Sequence, residues 1–204
     1  MMPAVYSVGH SNHDINTFIG LLKRHDISAI ADVRSHPYSR FVPQYSRESL
    51  KASLTSAGIS YVFLGKELGA RSDNPECYLH GRVQYDRLAK QSVFNAGIQR
   101  VTEGMNRYRI ALMCAEKDPL DCHRALLVGR ALFDKGVPVN HIHANATLES
   151  HEQLESRLLA LCKLPEGDMF KARELFVAEA YFIQGQRVAY LDEDMAREEK
   201  LAII

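Results

Sequence analysis

The stretch Arg109-Ile-Ala-Leu-Met-Cys-Ala-Glu-Lys-Asp-Pro-Leu-Asp-Cys-His-Arg-Ala-Leu-Leu-Val-Gly-Arg-Ala-Leu-Phe133 decides the fold. Residues 110–113 are apolar, too few for a helix and bounded by polar residues, which predicts a buried strand. Pro119 marks a turn, and Asp121 is the expected N-cap of the next helix. From Ala125 onward the apolar residues Leu127, Val128, Ala131 and Leu132 recur at helical spacing. The unit is therefore strand, loop, helix. Ligands of open parallel sheets sit beyond the carboxyl ends of the strands. The loop carrying Cys114, Glu116, Asp118, Cys122, His123 and Arg124 is expected at such an end.

The same alternation runs through the rest of the chain. Strands are expected at 4–8, 27–33, 59–64, 110–113 and 137–143. Helices are expected at 15–25, 48–57 and 83–105, the last interrupted near 95–97. Two more start at Ala125 and at the capping box Ser150…Gln153, and Gly58 and Gly136 read as helix stops. Residues 65–82 look irregular, long for a loop in a compact domain, which hints at function or mobility. Five alternations predict a single α/β domain over 1–163, with a mostly parallel five-stranded sheet flanked by helices. A C-terminal tail, 164–204, is expected to pack on it. It reads as helical over 170–183, extended over 186–191, and charged and frayed over 192–200. Its stripe of Phe176, Ala180 and Ile183 packs on the main domain or covers the seam of a homodimer.

Composition narrows the classes of function. The chain has 204 residues, 25 basic and 25 acidic, and no net formal charge. No global field draws it to nucleic acid or to membranes, so any such attraction must be local. No apolar run approaches the roughly 18 residues of a membrane span. The first residues lack the basic and apolar regions of a signal peptide. Four scattered cysteines make no disulfide scaffold, and a reducing cytoplasm is the expected setting.

The loops at the expected sheet edge carry the candidate chemistry. Cys122, at the first turn of a helix and near Arg124, is a candidate nucleophile. Asp121 and Glu116 oppose a low thiol pKa. His10 and Glu116 are candidate acid/base groups, with His10 freed to turn by the preceding Gly9. Cys114, Cys122 and His123 have the donor types of a divalent-metal site, although no tight Cys-x2-Cys pair is present. Each has a plainer reading: Cys114 is in phase with Leu112 and fits a core position, and Cys122 fits a packed helix start. Ser11, Asp32, Arg34, Arg40, His123 and Arg124 are the candidate ligand-binding residues. Arginines 34, 40, 47, 71 and 124, with Tyr38, Phe41 and Tyr45 among them, suit a phosphorylated or nucleotide-like ligand. Asp32 orients His10, pairs with Arg124, or closes a structural ion pair. His141 and His143 alternate about Ile142, and His143 is the better site candidate of the two.

Several of these segments together resemble a known family. Ser7-Val-Gly-His-Ser11, Asp32-Val-Arg34, Leu68-Gly69, Cys114-x-Glu116…Cys122-His123-Arg124 and Val139-x-His141-Ile142 are similar to the bacterial family known as domain of unknown function 488. The likeness spans roughly the first 160 residues, and the tail, with Ala180-Tyr181 and Gln186 to Tyr190, resembles the family's end. The resemblance implies an α/β fold and supplies neither substrate nor mechanism. The expected function is an enzyme acting on a small anionic ligand: a nucleotide, a nucleobase derivative or a phosphorylated metabolite. The alternatives are a non-catalytic ligand or metal sensor using the same edge, and a nucleic-acid accessory protein using the loop at 35–47.

Overall fold

The computed structural model describes residues 3–201. Its strands are β1 (Val5–Gly9), β2 (Ala29–Asp32), β3 (Ser60–Phe63), β4 (Tyr78–Leu79), β5 (Arg82–Val83), β6 (Ile110–Cys114), β7 (Val139–Ile142) and β8 (Leu148–Ser150). Its helices are α1 (Ile15–Arg24), α2 (Arg47–Ser56), α3 (Gly65–Leu68), α4 (Tyr85–Leu88), α5 (Ser92–Gly104), α6 (Arg130–Phe133), α7 (His151–Cys162), α8 (Arg173–Val188) and α9 (Glu193–Leu201). A π-helical segment, Arg124–Gly129, runs into α6.

The main sheet has the order β3-β2-β6-β1-β7-β8. Every pairing is parallel except β7 with β8. β1, β2 and β6 are buried along their whole length, as strands covered on both faces must be. Their side chains alternate between two cores. On one face Ala29, Ala31, Val33, Ile110 and Leu112 pack with Phe94, Ile98 and Val101 of α5 and with Leu127, Val128 and Leu132. On the other, Tyr6, Val8, Ile30, Ala111 and Met113 pack with Phe18 and Leu22 of α1 and Leu50 and Leu54 of α2. A third cluster joins Leu154 and Leu158 of α7, Phe176, Val177 and Ala180 of α8, and Leu120 and Leu126 near the Cys122 loop.

The caps follow the sequence closely. Asp14 accepts hydrogen bonds from the amides of Asn16 and Thr17 and starts α1. Ser150 and Gln153 make the expected reciprocal box at the start of α7. Gly58 and Gly136 adopt positive φ after α2 and after α6.

The sheet has six strands where the sequence pattern predicts five. The sixth, Leu148-Glu-Ser150, is a three-residue partly exposed edge without an apolar pattern to announce it. The helix expected over 83–105 breaks at 89–91 instead of 95–97. Gly97 lies inside α5, where a Cβ would come within 2.7 Å of Glu67 Cβ and Leu68 Cδ2, so this glycine permits close packing of α3. The span 65–82 is structured: it holds α3 and the β4–β5 hairpin, whose turn residues His80 and Gly81 both have positive φ. Residues 186–188 belong to α8, not to an extended segment, and α9 occupies part of the stretch expected to fray. Among the described residues no helix is long and apolar enough to cross a membrane.

Candidate functional site

The carboxyl ends of β1, β2 and β6 meet as the topology requires. Gly9 closes β1 directly under the Cys114–Arg124 loop. A Cβ there would lie 1.8 Å from the carbonyl oxygen of Glu116, so only glycine fits. The chain beyond is pinned to the loop: the amides of His10 and Ser11 donate to the carbonyls of Cys114 (2.9 Å) and Ala115 (2.8 Å). Ser11 takes positive φ, and its hydroxyl bonds only locally, to Asn12. Gly9→Ala is therefore expected to cost about 1–3 kcal/mol, as overpacking does. It should also displace Glu116, which thermal denaturation and the reactivity of Cys122 would both register.

At the end of β2, Asp32 grips Arg34. The guanidinium donates from Nε to Oδ1 (2.9 Å) and from Nη2 to Oδ2 (2.7 Å), a bidentate pair buried from solvent. Tyr61 also donates to Asp32, and Arg34 donates further to the Tyr45 carbonyl and towards His10 Nε2 at 3.2 Å. This decides among the roles open to Asp32: it holds Arg34, and pairs with neither Arg124 nor His10. His10 donates from Nδ1 to the Ser11 carbonyl and stacks on Tyr45 at 4.0 Å. Burial, opposed by that hydrogen bond, pushes its pKa down to about 4, so His10 is a neutral acceptor for Arg34 at neutral pH.

The third strand end carries the sulfur cluster. Cys114 is the last residue of β6, and Cys122 precedes the helical segment in extended backbone, its carbonyl accepting from the amides of Ala125 and Leu126. The helical segment starts after His123 and not at the expected cap Asp121, which belongs to the preceding turn, and Cys122 Sγ accepts from the Arg124 amide at 3.4 Å. His123 Nε2 donates to the Val33 carbonyl (2.9 Å), which leaves Nδ1 facing Cys114 Sγ and Cys122 Sγ, each at 3.8 Å. The ligand atoms of Cys114, Cys122 and His123 lie within 4.8 Å of one another. Glu116 Oε2 sits 2.9 Å from Cys122 Sγ.

Charge in this cluster is shared out unevenly. Burial opposes a Cys122 thiolate, but the hydrogen bond with Cys114 and the charges of Arg124 and His123 hold its pKa well below the ordinary thiol value. The Cys114 thiol is pushed well up by its hydrogen bond to Cys122 and by burial. The Glu116 carboxyl is raised, first by burial and then by Cys122. Burial opposes the His123 imidazolium, yet contact with Cys122 raises its pKa.

These groups open on a cavity of about 300 Å³, lined also by Arg34, Arg71, His36, Tyr85 and Tyr190. Arg71 lies over the Tyr190 ring at 4.0 Å and beside His36 at 3.4 Å. Arg124 does not line it. It is fully buried and donates to the carbonyls of Glu116 (2.7 Å) and Lys117 (3.2 Å), bracing the loop from behind. Arg40 is exposed on its loop, and Arg47 lies over Phe63 instead. His143 is paired with Glu149, while His141 is buried in hydrogen bonds to Ser7 and His151. A larger cavity, of about 770 Å³, lies between α6, α7 and α8, where Arg173 pairs with Glu155 and Arg130 with Asp134. It holds no nucleophile cluster among the described residues.

The profile of the domain of unknown function DUF488 matches residues 14–131, more than half of the chain. The chain belongs to the DUF488 family. The match includes Asp32, Arg34, Arg71 and the whole Cys114–Arg124 loop, so most of the cavity is built from the family's own segment. It stops short of Gly9 and His10 on one side and of Val188 and Tyr190 on the other. No curated protein and no solved structure matches the chain. His36 and Tyr85 carry no signal in the sequence. Tyr190 shows only as part of the tail segment that resembles the family, because its place at the cavity depends on where α8 ends.

Proposed function

We propose that this DUF488 protein is an enzyme acting on a small anionic ligand in the cavity at the carboxyl edge of the sheet. One observation carries the reading: Arg34 and Arg71 line the same small cavity as Cys122, Glu116 and His123. A volume near the low end of small-molecule pockets suits a nucleotide fragment or a phosphorylated metabolite better than a polymer. Arg34 is already paired with Asp32, so it supplies a fixed polar wall with little net charge. Arg71 is exposed and, among the described residues, its guanidinium has a ring and an imidazole as partners, which leaves it able to turn onto an oxyanion. Tyr85 and Tyr190 offer flat apolar surface beside it. Glu116, with its raised pKa, is the group suited to proton transfer next to the Cys122 sulfur.

A thermal-shift series with inorganic phosphate, nucleoside monophosphates and sugar phosphates tests the proposal. A ligand at a hundred times its dissociation constant adds about 2.7 kcal/mol of stability. Arg71→Ala is expected to abolish that shift, since Arg71 contributes nothing to the core. Turnover of the best ligand, followed by mass spectrometry, should vanish in Glu116→Gln while binding persists. If no anion raises the melting temperature at millimolar concentration, the reading is wrong. Binding without turnover would favour a sensor, a reading supported by one feature: Val188 and Tyr190, at and beyond the end of α8, form part of the cavity wall.

A further inference from the structure

We infer that Cys114, Cys122 and His123 form a three-ligand zinc(II) site whose fourth position opens into the cavity. Tetrahedral zinc with bonds of ~2.3 Å to sulfur and ~2.05 Å to nitrogen places sulfur and nitrogen about 3.5 Å apart, and two sulfurs about 3.8 Å apart. Both sulfurs here lie 3.8 Å from His123 Nδ1, and all three atoms fall within 4.8 Å of one another. A cation between them needs a few tenths of an ångström of contraction about His123 and up to about 1 Å between the two sulfurs.

The surroundings also fit a metal. The Val33 carbonyl takes the Nε2 proton of His123, which fixes the ring and aims the Nδ1 lone pair at the two sulfurs. The Arg124 amide donates to Cys122 Sγ, as backbone amides do around ligating thiolates. The three residues are 4%, 2% and 6% exposed, so their only outlet is the cavity they line. Two buried thiolates without a cation would repel each other, whereas a dication neutralises both. Thiolate and imidazole donors select zinc over magnesium or calcium. Three protein ligands with one open position is the arrangement of reactive rather than purely structural zinc sites. Cys122 then serves as a ligand, not as an attacking nucleophile. Glu116 lines the same cavity, with Oε2 2.9 Å from the Cys122 sulfur.

The test uses the reduced full-length chain, stripped with a chelator and titrated with Co²⁺ and then Zn²⁺. One equivalent of Co²⁺ should bind with an intense thiolate-to-cobalt band in the near ultraviolet, and Zn²⁺ should bleach it. Cys114→Ser and His123→Ala should each weaken binding by roughly a hundredfold or more. Cys162→Ser, on the far helix α7, should leave it unchanged. Should Cys114→Ser fail to fold, alkylation of the wild-type chain replaces it: Zn²⁺ must shield Cys114 and Cys122 and leave Cys162 open. Absence of stoichiometric binding would overturn the inference. So would binding that survives His123→Ala, or a Cys114–Cys122 disulfide formed in place of metal uptake. Zinc uptake without any anion-induced thermal shift would sustain this site and remove the anion reading.

Discussion

Asp32→Ala is expected to lower the unfolding free energy by about 3–5 kcal/mol, the range seen when one partner of a buried ion pair is removed. Asp32 is inaccessible to solvent and Arg34 nearly so, and each guanidinium edge is aimed at a carboxylate oxygen. Without the carboxylate, Arg34 keeps only the Tyr45 carbonyl and His10 as acceptors. Its charge cannot be shed, because a guanidinium stays protonated at any working pH. Tyr61 loses its acceptor as well. For a domain of this size the melting temperature should fall by roughly 10 °C. The double variant Asp32→Leu with Arg34→Met separates the ion pair from simple loss of packing. If the charge left behind is what destabilises, the double variant is more stable than Asp32→Ala alone. Equal or lower stability in the double variant would sink that account. Chemical denaturation of the three proteins decides it.

Acid should weaken the fold through a second set of buried groups. Ser7 Oγ lies 2.7 Å from His141 Nδ1, His141 Nε2 lies 3.0 Å from His151 Nδ1, and His151 Nε2 lies 2.8 Å from the Tyr181 hydroxyl. Tyr181 in turn donates to Glu155 at 3.3 Å. One direction satisfies the whole chain with both imidazoles neutral: Ser7 donates to His141, His141 to His151, and His151 to Tyr181. A second proton on either ring reverses part of this chain and leaves the Ser7 hydroxyl oxygen as its acceptor, with the charge itself still buried.

Burial, aided by the charge of Arg130, pushes His151 down to about 4. Burial and the neighbouring His151 push His141 well down too. In the unfolded chain both would titrate near ~6.5. The unfolded state therefore takes up protons first, so stability is complete above about pH 6.5 and drains away as pH falls towards about 4. His151 alone accounts for about 3 kcal/mol across that window, at about 1.36 kcal/mol for each pKa unit. The observable is the slope of unfolding free energy against pH. His151→Gln, whose amide can both accept from His141 and donate to Tyr181, should flatten it between about pH 6.5 and 4. An unchanged slope would show that other groups carry the acid transition. The readout matters for the architecture, because this chain of hydrogen bonds ties β1 and β7 to α7 and α8.

Much of this protein is legible in the chain. The apolar run at 110–113, Pro119 and the helical spacing from Ala125 predict a strand, a loop and a helix, and those elements stand there. The capping box at Ser150 and the stop at Gly136 are local events, settled by atoms within a few residues of each other. Parallel alternation then places Cys114, Cys122, Arg34 and Gly9 at one edge, since crossovers return every strand in the same direction. What fails locally is β8, whose three residues make a strand only because β7 offers a free edge. The helix break at 89–91, which no breaker residue announces, is decided by the rest of the fold.

The division of labour among the site residues is not readable from the chain at all. Arg34 and Arg124 look alike in sequence, each near a strand end or a turn. Yet the first lines the cavity and the second is buried behind it, because the loop carbonyls of Glu116 and Lys117 need a donor there. His10 and His123 both come after the ends of strands. The first is held as an acceptor for Arg34, and the second turns Nδ1 on two sulfurs because the Val33 carbonyl claims its other nitrogen. Periodicity and capping are short-range and so are written in the sequence. Which polar group meets which partner is set by strand register and by the close approach that Gly9 allows, and only the folded chain brings those atoms together.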